Sequence, residues 1–167
     1  MPYCQLFYHM VWATKGRAPL ITPEIEADID NLLVAKAKEL GGWVYALNGE
    51  RDHRHLVSTI PPSIAVARFI GQVKGVCSAA VNSHQLTEDQ FYWQDEYGAF
   101  SFDGKRLPNY IAYVRNQKQH HANGTIIPVL ERVSEDDYIF REEEAIYAVE
   151  DPEWRAELEA LSILYNS

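Results

Sequence analysis

Apolar periodicity switches repeatedly between two and about 3.6 residues along this 167-residue chain, and that alternation constrains the fold more than any other feature. Residues 5 to 14 carry Leu6, Phe7, Tyr8, Val11 and Trp12, a strand signal. Lys15-Gly16-Arg17-Ala18-Pro19 reads as a loop. Thr22-Pro23-Glu24 predicts a helix start: a capping hydroxyl, a proline at the first helical position, then an acid. Ile25, Ile29, Leu32, Leu33, Ala37 and Leu40 follow at helical spacing until Gly41-Gly42 ends the run. Residues 43–48 and 53–60 predict two further strands joined by a turn. Pro61-Pro62-Ser63 precedes a second helix that buries Val66, Phe69, Ile70, Val73, Cys77, Ala80 and Val81. Residues 99–102 predict a short fourth strand, and 107 to about 123 a last core helix.

The order β-α-β-β-α-β-α resembles the ferredoxin-like, RRM-like α+β arrangement, an antiparallel sheet with helices on one face. The fold hosts many functions and decides little about activity. Hydrophobic residues make up 47% of the chain, enough for a real core. No apolar run approaches the roughly 18 residues of a membrane span. Cys4 and Cys77 are the only cysteines. That excludes a disulfide framework and a cysteine-rich zinc site, and makes a reducing cytoplasm the expected compartment.

The net charge of −9 is unevenly placed. Residues 1–130 hold 12 acidic and 12 basic side chains, whereas residues 131–167 hold 12 acidic and 3 basic. The division expected is therefore a neutral domain over 1–130 and an acidic extension over 131–167. A neutral body can still carry a local basic groove for nucleic acid.

Two motifs carry chemistry. In Asp52-His53-Arg54-His55, residues two apart on a strand point the same way, so His53 and His55 project together about 7 Å apart at the backbone. Two imidazoles so placed can converge on one ion, although a lone pair of this kind is more often two exposed histidines at a hairpin end. In Tyr113-Val114-Arg115-Asn116-Gln117, the tyrosine and the amide are four residues apart, on one helical face. They could serve as nucleophile and metal ligand. An amphipathic helix with a packed tyrosine explains the same spacing.

Together the motifs resemble the HUH-class single-tyrosine transposases of bacterial insertion sequences, the IS200-like family in the broad sense. Several surrounding segments are similar to that family as well: Tyr8-His9-Met10-Val11-Trp12-Ala13-Thr14-Lys15 with Arg17 and Pro19, Lys74-Gly75-Val76-Cys77-Ser78, Trp93 to Ser101, and Gln117-Lys118-Gln119-His120-His121. The resemblance runs from about Tyr3 to Gly124. It implies cleavage and rejoining of single-stranded DNA through a 5′-phosphotyrosine at Tyr113. It also implies a divalent cation, Mg²⁺ or Mn²⁺, on His53, His55 and Gln117. The partner it implies is single-stranded DNA with a hairpin end, bound by a homodimer in which one subunit's tyrosine helix completes the other's site. One position departs from the pattern: Arg54 stands where a bulky apolar residue is usual, and a charge facing the core needs a partner or an exit to solvent.

Lys15, Arg17, Lys74, Lys105, Arg106, Arg115 and Lys118 are candidate phosphate contacts, and Trp12, Trp93 and Tyr97 could stack on unpaired bases. Tyr110 is a rival nucleophile that lacks the spacing to Gln117. His120 and His121 read as a helix end, and His9 as a structural hydrogen-bonder. Two other functions compete with the transposase: a non-catalytic nucleic-acid-binding protein on the same fold, and a metal-dependent phosphodiesterase using water.

Overall fold

The computed structural model describes residues 3–134, 146 and 149–165. Four strands form one antiparallel sheet: β1 (Phe7–Ala13), β2 (Val44–Glu50), β3 (His53–Thr59) and β4 (Gly98–Phe102), in the order β2-β3-β1-β4. Two helices, α1 (Glu26–Glu39) and α2 (Val66–Ser83), bury Ile29, Leu33, Phe69, Ile70 and Val73 against Met10, Trp12 and Leu56 of the central strands. The α+β class and the antiparallel sheet are as the periodicity predicts. Regular α1 geometry begins at Glu26, although Thr22 already accepts from the Ile25 and Glu26 amides through its carbonyl. Gly41 adopts φ +90° and its amide returns to Lys38 O, closing the helix where the sequence places the stop.

The helices are not confined to one face. The last core helix packs Tyr110, Tyr113 and Val114 against Ala46 and Val57, on the side of the sheet opposite α1 and α2. Alternation along β1 and β3 explains this: Met10, Trp12 and Leu56 point one way and Val57 the other, so both faces need cover. The helix is also not continuous. It divides at Asn116 (φ −98°, ψ 17°) into α3 (Leu107–Arg115) and α4 (Gln117–Asn123). The Asn48 side chain on β2 donates to Arg115 O at 2.9 Å, holding a carbonyl at the break.

After Gly124, in the left-handed conformation, the chain turns back across the α3 face. Ile127, Val129, Leu130 and Val133 are buried, with a 3₁₀ turn at Pro128–Glu131. This strap lies against β1 and β4. A side chain at Gly98 would place its Cβ 2.0 Å from Arg132 O, so only glycine lets the strap lie this close. A final helix, α5 (Pro152–Tyr165), buries Trp154 and Leu158 in the same cluster as Tyr110. The boundary expected at 130/131 thus falls inside the 3₁₀ turn. Residues 135–145, 147, 148, 166 and 167 of the expected extension lie outside the described residues.

Candidate functional site

Strand register assembles the site. Val11 pairs with His55 and Ala13 with His53, and alternation sends both histidines to the α3 side. They are buried, not exposed at a hairpin end, with ring centroids 5.1 Å apart. His53 Nδ1 lies 2.7 Å from Asp52 Oδ1, while its Nε2 has no hydrogen-bond partner. His55 Nδ1 lies 2.8 Å from His9 Nε2, and its Nε2 lies 2.9 Å from Glu131 Oε2.

Glu131, only 8% exposed, is the hub. Around its Oε2 stand three imidazole nitrogens: His55 Nε2 at 2.9 Å, His53 Nε2 at 3.6 Å and His121 Nε2 at 3.7 Å. Its Oε1 accepts from the Tyr113 hydroxyl, which in turn accepts from the Ile127 amide at 3.0 Å. Tyr113 is only 3% exposed. Tyrosine and histidines therefore meet within one chain. The composite assembly that the family resemblance implies would instead bring the tyrosine from a partner's helix.

The donor set fits a cation. Ligand atoms of His53, His55 and Glu131 all lie within 4.8 Å of one another. Donors on one ion at about 2.1 Å sit about 3–4 Å apart, so a small contraction suffices. Gln117 is fully buried; neither atom of its amide makes a hydrogen bond of good geometry, although the amide lies near enough to the Tyr113 hydroxyl to act against its upward shift. A buried amide left unpaired costs stability, and a ligand is one reason to keep it. The structure thus groups His53 and His55 with Glu131, and holds Gln117 buried one helical turn after Tyr113, across the break at Asn116.

Charge states follow from burial. Burial pushes the Tyr113 hydroxyl well above its usual value, and the adjacent Glu131 carboxylate pushes the same way. Burial also acts to raise Glu131, but His55, His121 and His53 outweigh it and hold the carboxyl well below the usual range. Burial keeps His55 below the usual imidazole value, against the pull of Glu131. The resting site is a neutral phenol on a carboxylate, ringed by imidazoles.

Arg54 points to the opposite face and is fully buried under α1. Its Nε donates to Asp30 Oδ1 at 2.8 Å, its guanidinium pairs with Glu26 at 2.9 Å, and it donates to Glu50 O at 2.9 Å. The charge is met by groups other than the His53, His55 and Glu131 side chains.

The candidate phosphate contacts divide. Lys15, Arg17 and Arg115 are exposed, and Arg17 lies 3.7 Å from Asp52, the partner of His53. Lys118 is exposed but contacts Glu26, Asn48 Oδ1 and Gly49 O. Lys74 is buried, its ammonium donating to Gln94 O at 2.5 Å and reaching Asp95 O and Glu96 O at 3.3 Å. Arg106 is buried beneath α5, paired with Asp151, Glu153 and Glu157 at 3.1, 3.4 and 2.9 Å, and Lys105 pairs with Glu153. Among the stacking candidates, Trp12 is wholly buried and its ring meets Trp93 edge-on at 6.1 Å. The rival Tyr110 stacks on Phe102 at 4.1 Å and meets the Trp154 ring edge-on at 5.5 Å.

Sequence reasoning missed Glu131, which it counted among the acids of an extension. The available signal was a lone acid closing the apolar run Ile126-Ile127-Pro128-Val129-Leu130.

Comparison with known proteins adds the family. The model of the family described as "Transposase IS200 like" matches residues 3–117. The ISDra2 transposase TnpA of Deinococcus radiodurans is 30% identical over 71 residues, which are 42% of this chain; the chain spans about half (51%) of that relative's length. A crystal structure from D. radiodurans, described as a candidate transposase, superposes with a TM-score of 0.56 at 23% identity, over 70% of this chain and 95% of that one. A REP-associated tyrosine transposase bound to a REP hairpin gives a TM-score of 0.55 at 10% identity, over 75% and 76% of the two chains. At these identities the two structures speak for the fold alone. No described helix is long and apolar enough to cross a membrane. The family match, which covers well over half of the residues and includes both histidines, Tyr113 and Gln117, carries the assignment: the chain belongs to the IS200-like transposase family.

Proposed function

We propose that this chain cuts and rejoins single-stranded DNA, with Tyr113 as the nucleophile beside a divalent cation. The observation that carries the reading is the meeting of the Tyr113 hydroxyl and the His53–His55 pair on one buried carboxylate. Cleavage forms a bond between the Tyr113 oxygen and phosphorus and breaks the bond from phosphorus to the 3′-oxygen. The products are a 5′-phosphotyrosine and a free 3′-OH, and reversal by a new 3′-OH rejoins strands without another energy source. Glu131, already accepting from the hydroxyl, takes the proton as the bond forms, and the leaving 3′-oxygen is the proton's final acceptor. A base is needed here because burial and the carboxylate keep Tyr113 protonated. His53, His55 and Glu131, with Gln117 as a further donor, would hold Mg²⁺ or Mn²⁺, which would polarise the scissile phosphate and stabilise the leaving oxygen; nitrogen ligands favour Mn²⁺ in affinity. Tyr113 is sealed at 3% exposure, so the strap at 127–133 must shift to admit a phosphate.

The partner we infer is single-stranded DNA with a hairpin end, approached through Lys15, Arg17, Arg115 and Lys118. The hairpin bound to the similarly folded REP-associated transposase supports that choice. We further propose residues 1–130 as the transposase domain, completed by Glu131 at the start of the 131–167 extension, whose helix α5 docks back onto it through Trp154 and Leu158. The homodimer we infer from the family resemblance would join two such sites, each with its tyrosine and histidines from one chain. The sealed hydroxyl also suits a second reading, a non-cutting DNA-binding protein. Incubation with labelled single-stranded oligonucleotides and Mn²⁺, resolved on a denaturing protein gel, separates the two. A covalent adduct that is lost on Tyr113→Phe supports cutting. DNA retention without adduct supports binding alone, and hydrolysis without adduct points to a phosphodiesterase using water.

A further inference from the structure

We propose that His9 is a positioning residue for the metal site, setting which ring nitrogen of His55 is free to bind a cation. The inference rests on the reading of His53 and His55 as ligands. His55 turns Nε2 toward Glu131 and the donor cluster, and Nδ1 toward His9 Nε2 at 2.8 Å. A neutral imidazole carries one ring proton. With Nε2 on a cation, that proton must sit on Nδ1, and the partner there is His9 Nε2, which must then accept. Without a cation the demand reverses. His55 Nε2 then keeps the ring proton and donates it to the Glu131 carboxylate at 2.9 Å, His55 Nδ1 becomes an acceptor, and His9 Nε2 must donate.

One atom of His9 therefore has to accept in one state and donate in the other. An ammonium or guanidinium can only donate and an ionised carboxylate can only accept, whereas a neutral imidazole does either by moving its proton between ring nitrogens. The other nitrogen, His9 Nδ1, has no hydrogen-bond partner, so gaining or losing the proton there breaks no existing bond. The ring itself is fixed. It is fully buried, stacked on His55 at 5.1 Å, and walled by Phe100 and Tyr110 at 5.9 Å each. Strand register keeps the two histidines together, since His9 pairs with Val57 and Val11 with His55 on adjacent strands of the sheet. Protons relocate within the pair, and the charge of neither ring changes.

The test measures Mn²⁺ binding by the spin-resonance signal of the free ion, for wild type, His9→Gln, His9→Leu and His55→Ala, beside urea denaturation of each in EDTA. Glutamine can turn its amide to accept or donate, and leucine can do neither. Wild type and His9→Gln should bind alike, and His9→Leu about 10–100-fold more weakly. Equal binding by folded His9→Leu and wild type overturns the proposal. If His55→Ala also binds like wild type, the ligand reading fails at its root. Should His9→Leu not fold, nitrogen-15 spectra of the wild-type histidines decide. The proton of His55 should sit on Nε2 in EDTA and on Nδ1 with diamagnetic Zn²⁺, His9 changing in step. A His9 whose tautomer is unchanged while His55 changes refutes the coupling.

Discussion

Tyr113→Phe removes one hydroxyl and leaves the ring, and two separable losses should follow. The hydroxyl donates to the Glu131 carboxylate and accepts from the Ile127 amide. A hydrogen bond to a charged group contributes about 1.5–3 kcal/mol, and a buried amide left unpaired costs about 1–3 kcal/mol. The losses overlap, because Glu131 keeps His55 as a donor and burying the phenylalanine ring demands no polar partner. A net destabilisation of about 2–3 kcal/mol is expected. At about 2–4 °C per kcal/mol for a chain of this size, that lowers the melting temperature by about 5–10 °C. The variant should remain folded at 20 °C and still retain DNA, while forming no covalent adduct with a labelled single strand in Mn²⁺. Tyr110→Phe, whose ring stacks on Phe102, is the control and should keep cleavage. A Tyr113→Phe protein as stable as wild type would mean that the hydroxyl is not buried on Glu131. Cleavage by that variant at the wild-type rate, with the adduct on Tyr110 or absent, would refute the nucleophile assignment.

Glu131→Gln should weaken Mn²⁺ binding and flatten the acid limb of the stability profile. The folded carboxyl lies well below its usual value of 4.5, so the stability it contributes is present above pH 4.5 and lost as pH falls through the folded value; urea midpoints from pH 6 to 3 should fall more for wild type than for the variant. Arg54→Leu should cost about 3 kcal/mol by urea denaturation, the low end for breaking a buried pair, because Glu26 and Asp30 keep about a quarter of their side-chain surface in solvent. Adding Asp30→Leu should recover part of that loss, and an undiminished deficit would argue against the pairing. Replacing Asp151 by asparagine and Glu153 and Glu157 by glutamine together removes the carboxylates paired with Lys105 and Arg106; single-strand affinity at 50 mM salt should rise and its salt dependence steepen, and unchanged binding would show that neither residue meets phosphate.

The sheet and its first two helices were legible because each segment's period states its own structure. Residues 5–14 and 53–60 read as strands, and Ile25 to Leu40 as a helix, without reference to anything distant. What periodicity does not encode is which face of the sheet a helix covers. The stripe Tyr110, Tyr113 and Val114 is apolar whichever side it meets. Only the pairing of β1 with β3 shows that Val57 and the histidines leave a second face to cover. The break at Asn116 was illegible for a similar reason, since a side chain 67 residues upstream holds the carbonyl at the break. Arg106 read as a phosphate contact because a basic residue is exposed by default, and its three acidic partners lie 45 to 51 residues away.

Legibility of the site divides along the same line. His53, His55, Tyr113 and Gln117 were legible because their spacings are local. Glu131 was not, because its meaning depends on a strap that crosses the sheet, and its charge was pooled with a run of acids. Arg54 shows what alternation does predict once the faces are known. Neighbours on a strand point oppositely, so the rule that brings the two histidines together must send Arg54 under α1, where Asp30 and Glu26 meet it. A change at position 54 therefore acts first on the packing of α1 against the sheet. It reaches the candidate ligands His53 and His55 only through the backbone of β3. Altered activity in an Arg54 variant should then follow its loss of stability, whereas a Glu131 variant should lose metal affinity even where it remains fully folded.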